Sequence, residues 1–341
     1  MAKIETACMA TAIGSMPHTD PKQAIAEVLK YIPSLPIWPQ LPRRSFLESM
    51  YVQFTEGLPG VKVEGDKIFV DLNEDMDKPL RKLLLDYDAK ADTKYAVKKE
   101  YAAGLYAFLS AKLGTPRAVK GHITGPVSCG LSITDAEKRP ILYHEILSDA
   151  LAKLLRLRAA WQEKKLRTVC PNTMVWVDEP YMSSFGSAFV SISREQVLSL
   201  LGEVLGGIEG TKGIHCCGNT DWSVLLATNI DILSFDAYNY AQTLSLYPAE
   251  VKAFLDRGGI IAWGIVPNDE ANLSKEIVSS LRDRLEEAMS TFTRKGISMR
   301  QLTSQALVTP SCGLGAISPD GAVRALELTS ELSTELRKKY A

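Results

Sequence analysis

The chain has 341 residues and a formal net charge of −1, so nothing in its electrostatics draws it to nucleic acid or an anionic membrane surface. Apolar residues make up 46% and charged residues 23%, the balance of a globular protein with a sizeable core. No apolar run approaches the roughly 20 residues of a membrane helix. The start, Met1-Ala2-Lys3-Ile4-Glu5, lacks the basic-then-apolar layout of a secretory signal, so a cytoplasmic location is expected.

Along the chain, short apolar runs alternate with longer helical patterns, the signature of repeated βα units. Strands are predicted at 8–13, 35–38, 117–124, 173–178, 213–217, 231–235, 260–264 and 305–309. Helices are predicted at 21–31, 139–168, 194–206, 221–228, 248–256, 271–293 and 319–338. Asn272 or Ser274 can cap the sixth, and Ser318-Pro319 gives the last a cap followed by proline at the first helical position. Between the second and third strands lies a long insertion, 41–115, with a hairpin from Val61 to Val70 turning at Gly65-Asp66, then helices. Eight strands, each followed by helical material, predict an α/β fold. It is read as one closed (β/α)8 TIM barrel over 1–341, with the insertion shaping the pocket. A doubly wound open sheet is the alternative, but no Gly-x-Gly-x-x-Gly follows the first strand.

In such a barrel the chemistry sits where strands end. Strand one leads into Ile13-Gly14-Ser15 and His18, and strand three into Thr124-Gly125-Pro126. Strand four ends in Asp178-Glu179-Pro180, strand five in His215-Cys216-Cys217, and strand six in Asp236. Strand seven runs into Trp263-Gly264-Ile265-Val266-Pro267, and strand eight leads to Cys312. Side-chain alternation puts His215 and Cys217 on one face and Cys216 on the other. With Cys312 they form a three-ligand zinc (Zn2+) site that keeps a fourth position for chemistry. Each residue also has a plainer reading: turn punctuation for the glycines, a helix cap for Asp236, a satisfied core histidine for His215. Cys8, Cys129 and Cys170 read as core cysteines. Taken jointly, a histidine, two cysteines and an aspartate at strand ends favour a metal, because carboxylates and thiols are costly to bury unpaired.

These motifs, in this order, resemble the C-terminal catalytic barrel of cobalamin-independent methionine synthase, within the superfamily that includes uroporphyrinogen decarboxylase. The run is Ile13-Gly14-Ser15, Thr124-Gly125-Pro126-Val127, Asp178-Glu179-Pro180, His215-x-Cys217 and Cys312-Gly313-Leu314. The resemblance covers nearly the whole chain and leaves the family's N-terminal barrel without a counterpart. It implies zinc on His215, Cys217, Asp236 and Cys312, with Asp236 one methylene shorter than the family's glutamate. It implies homocysteine as acceptor, with Ile13, Gly14 and Ser15 at its carboxylate, Asp178 at its ammonium group and Glu48 as a second acidic contact. Asp178, His215 and Cys217 are then the catalytic residues. Where the folate-dependent family carries a histidine, this chain has Gly264, which has no proton to give a departing folate nitrogen. A methyl group on cobalt needs no such acid, so methylcobalamin or a methylated corrinoid protein is the expected donor. His18 or His122 is the alternative source of an acid. Competing readings are methyl transfer to coenzyme M or another small thiol, and a metal-free decarboxylase using Arg43-Arg44. A non-catalytic partner for zinc or a corrinoid protein is the remaining one.

Overall fold

The computed structural model describes residues 5–188 and 190–340. Its strands are β1 (Met9–Ala10), β2 (Val61–Glu64), β3 (Lys67–Val70), β4 (Val119–Thr124), β5 (Thr173–Asp178), β6 (Thr211–Cys216), β7 (Ile232–Phe235), β8 (Ile260–Val266) and β9 (Ala306–Pro310). β2 and β3 make the expected hairpin, with Glu64 opposite Lys67 and Gly65 in the left-handed region at φ +57°. The other seven strands form one parallel sheet in the order β1-β9-β8-β7-β6-β5-β4.

The predicted second strand, 35–38, is not a strand. It survives as isolated parallel bridges, Ile37 with Lys120 on β4 and Gln40 with Ser15 beyond β1. Pro33, Pro36 and Pro39 explain this, because none has an N–H to donate to a ladder. Among the described residues the seven strands therefore do not close into an eight-stranded barrel. One proline-rich segment touches both edges instead, with Trp38 N–H on Lys120 O and Gln40 N–H on Gly14 O.

Helices cover the outer face. Pro21–Tyr31 is capped by Asp20, whose side chain accepts from Lys22 N at 2.8 Å. Glu145–Arg167, Arg194–Leu205, Trp222–Leu226, Pro248–Asp256 and Pro319–Tyr340 fall close to their predicted positions. The predicted helix 271–293 is two helices, Glu270–Leu273 and Val278–Thr293. Neither expected cap is used. Asp269 accepts from Asn272 N, and the Ser280 hydroxyl accepts from Ile277 N. Ser318 does cap the last helix, accepting from Gly321 N at 3.0 Å. No helix among the described residues is long and apolar enough to cross a membrane.

Alternation along the strands gives two cores. Outward residues such as Val175, Ile214, Leu233, Ile261 and Trp263 pack under the helices. Inward residues at the lower end, Met9, Ala118, Met174, Trp176, Ile232, Ile260 and Leu307, form a separate apolar cluster. Above that cluster, toward the C-terminal ends, the inner face turns polar.

Candidate metal and acceptor site

His215, Cys217 and Cys312 converge, with one ligand atom from each lying within 4.8 Å of the others. β6 delivers the first two on alternate positions. Cys216 between them is wholly buried among outer-face side chains, where burial pushes its thiol up to about 12. β9 ends at Pro310 and delivers Cys312 two residues later. His215 is buried, its Nδ1 is 2.9 Å from Ser234 Oγ on β7, and its Nε2 has no partner among the described residues. A histidine anchored through one ring nitrogen with the other left open is a poised ligand.

The two thiols are strongly unequal. A hydrogen bond from Cys312 holds Cys217 down at about 4 against its burial, with further help from His215. The same bond, together with burial, drives Cys312 well above the ordinary thiol range. One imidazole and two sulfurs, one of them already favouring the thiolate, fit a divalent zinc-like ion, and a three-ligand set leaves a position open.

Asp236 does not join this group. Its carboxylate caps the helix Ala237–Leu244, accepting from Asn239 N at 2.9 Å and Asn239 Nδ2 at 2.7 Å. Each oxygen takes one of these bonds, and Asp236 falls outside the three-residue cluster. The helix it caps lies outside the predicted set, although Asp236 taken alone reads as a cap.

A cavity of about 430 Å3 opens over the three ligands. His215, Cys217, Cys312, Asp178, Ile13 and Ser15 line it, with Pro42, Arg43 and Met50 contributed by the insertion. Asp178 Oδ1 has no partner among the described residues, and burial raises its carboxyl to about 6, opposed by Lys120 and His215. Ser15 fixes the facing wall: its Oγ accepts from Gly315 N at 3.2 Å and its carbonyl from Leu314 N at 2.9 Å. A Cβ on Gly313 would lie 2.2 Å from Ser15 Oγ, so a side chain there would displace that hydroxyl.

Four further expectations need correction or refinement. Glu48 does not line the cavity; it is buried against the guanidinium of Arg44, and its backbone carbonyl accepts from Gln40. Gly14 lies over His122, whose Nδ1 would be 2.7 Å from a Cβ there. Neither His18 nor His122 lines the cavity, and His122 is stacked 4.0 Å from Trp38 with both ring nitrogens buried. Glu179, beside Asp178, faces away and accepts from Val127 N, Ser128 N and Ser128 Oγ at the start of the helix Pro126–Ser132. Gly125 is small because Glu179 fills the space a Cβ would need.

Two groups escaped the sequence reading. Lys120 on β4 is fully buried, lies 4.2 Å from the Trp176 ring centroid and donates to Ile13 O. Its signal in the sequence is a lysine on the inward-facing positions of a strand, between Ala118 and His122. Asn268 also lines the cavity, its Oδ1 accepting from Ser311 Oγ at 2.9 Å. It stands where the chain leaves β8, four residues past Gly264. A Cβ at Gly264 itself would meet Phe235 O at 2.4 Å and Ser311 Cα at 2.9 Å.

No known family profile and no curated protein matches the chain. Solved structures do. A candidate vitamin-B12-independent methionine synthase from Listeria monocytogenes aligns over 98% of both chains with a TM-score of 0.57 at 15% identity. A methyltransferase from Methanosarcina mazei aligns over 100% of this chain and 95% of its own, with a TM-score of 0.57 at 13% identity. A B12-independent methionine synthase from Shewanella sp. W3-18-1, in complex with selenomethionine, aligns over 65% of this chain. That match spans 63% of the Shewanella chain, with a TM-score of 0.47 at 18% identity. The likeness is one of fold.

Proposed function

We propose that the chain is a zinc-dependent methyltransferase that methylates the thiol of homocysteine to give methionine, taking the methyl group from methylcobalamin or a methylated corrinoid protein. The observation that carries this reading is the meeting of His215, Cys217 and Cys312 in one cavity with the unpartnered carboxylate of Asp178. The fold is read with it as a (β/α)8 barrel whose second strand is reduced to bridges.

His215, Cys217 and Cys312 would hold the zinc, and Ser234 would keep the imidazole in its binding tautomer. Bound there, zinc supplies the charge that keeps a thiol, ordinarily of pKa about 8.5, deprotonated at neutral pH. Asp178 offers the cavity's carboxylate to an ammonium group, which favours an amino-acid thiol over a sulfonate thiol. Ile13 and Ser15 form the wall that orients the acceptor. In the transfer the acceptor's S–H bond is lost, an S–CH3 bond forms, the cobalt keeps the electron pair of the Co–C bond, and the proton goes to solvent. That leaving group needs no general acid. The packing at Gly264, which excludes a side chain, and the neutral Asn268 beside it agree with this donor.

The test is zinc quantitation on the purified protein, then methyl transfer from methylcobalamin to homocysteine, coenzyme M and cysteine in parallel. Bound zinc with preference for homocysteine is the expected result. Protein that takes up no zinc would overturn the metal assignment. Transfer from methyltetrahydrofolate but not from methylcobalamin would overturn the donor.

A further inference from the structure

Lys120 is a fully buried charged group that the chemistry above leaves unused, and its burial is costly. A lysine taken wholly out of water keeps its charge only if specific partners replace the solvent. Two contacts and one opposite charge, the last not in ion-pair contact, are present. Its Nζ donates to Ile13 O, the first residue of the cavity wall. It lies 4.2 Å from the centre of the Trp176 ring, within cation–π range. Its opposite charge is Asp178, two residues beyond Trp176 on the same face of β5, and the two groups act on each other electrostatically. Gly213 on β6 belongs to the same construction: a Cβ there would lie 2.4 Å from the Trp176 ring, so the indole occupies the space beside Lys120.

We propose that Lys120 is a positioning residue for acceptor recognition, one buried ammonium that bonds the Ile13–Ser15 wall from beneath the cavity and offers its charge to the Asp178 carboxylate. It does not line the cavity and does not touch substrate. The two cavity sides come from distant parts of the chain, and this charge is what holds them in mutual register. The proposal rests on the amino-acid-thiol reading for its effect on turnover, while its effect on the wall does not depend on that reading.

The experiment compares wild type with Lys120→Met, and with Lys120→Gln, which keeps a donor toward Ile13 but removes the charge. Two measurements are made. The first is hydrogen–deuterium exchange at the Met16 and Gln40 amides, which bond Gln40 O and Gly14 O, and at Leu314, which bonds Ser15 O. Lys120→Met is expected to speed exchange there roughly tenfold or more while amides of the helix Pro319–Tyr340 stay at wild-type rates. Unchanged exchange along the wall, or an equal rise everywhere, overturns the proposal. The second is steady-state kinetics with homocysteine. KM is expected to rise roughly tenfold in both variants with kcat much less affected. A fall in kcat with unchanged KM, as from a smaller folded fraction, overturns it. If Lys120→Met yields no folded protein, Lys120→Gln carries the KM test alone. If wild type does not methylate homocysteine, the proposed function fails and the exchange pattern alone judges the positioning role.

Discussion

Met174, Trp176 and Asp178 stand on the same face of β5, each two residues above the last. The first two belong to an inner apolar cluster with Ile232, Ile260 and Leu307, while the third faces a cavity lined by His215, Cys217 and Cys312. The same change occurs on β6, from Gly213 to His215, and on β7, from Ile232 to Ser234 and Asp236. The two levels are made by the same strands, yet side chains lock the lower one by shape and arrange the upper one by charge and hydrogen bonding. Close packing below provides a rigid base. The groups above can then be left with open valences, such as His215 Nε2 and Asp178 Oδ1, without the structure rearranging to satisfy them.

The sharpest way to break this division is to remove a ligand. Cys217→Ala is expected to abolish stoichiometric zinc binding and methyl transfer in a protein that still folds, read by metal analysis and far-ultraviolet circular dichroism. Retained zinc would mean the upper level binds metal elsewhere. Next, Met174→Ala in the lower level should cost about 2–5 kcal/mol of stability, by the ordinary penalty for emptying a buried methionine site. Zinc content per folded molecule should not change. Third, Ser234→Ala frees the imidazole and should weaken zinc binding about 10–100-fold in a competition titration against a chelator.

The smallest effect concerns the metal-free thiols. Cys217 is held at about 4, well below the ordinary thiol range, with the Cys312 hydrogen bond as the largest cause. A depressed folded-state pKa contributes stability that is complete above the unfolded value and lost as pH falls toward the folded one. The metal-free protein should therefore show one thiolate by ultraviolet absorbance at pH 6 and lose stability between about pH 9 and 4. Cys312→Ala should move that thiolate's titration upward; an unmoved titration would show that His215, rather than the second thiol, sets it.

Much of this arrangement was legible in the order of residues. The strand 173–178 and the helix 21–31 are found where periodicity put them, because long or strongly patterned segments bury one face whatever their neighbours do. Alternation alone separated Cys217 from Cys216 correctly. What escaped depended on partners distant in the chain. The run 35–38 reads as apolar and strand-like, but its proline spacing matters only once β4 lies alongside to demand hydrogen bonds. Asp236 reads as a metal ligand only through the family resemblance, whereas its position alone reads as the helix cap that the structure shows. Glu48 reads as an acceptor contact only through the family resemblance, and Arg44, four residues before it, takes its carboxylate instead. Lys120 passed unnoticed because a single lysine in a strand looks like an edge residue until the sheet wraps around it.

The crowding at Gly264 limits how this protein can change. A histidine cannot be installed there by altering one codon, since the first side-chain carbon already collides with the carbonyl of Phe235 and the backbone of Ser311. Reaching an acid-bearing site would require moving the irregular β8–β9 register between Gly264 and Val266 first, then adding the side chain. The lack of an acid at this position is thus fixed by main-chain course, and neighbouring sequences one substitution away share the same constraint.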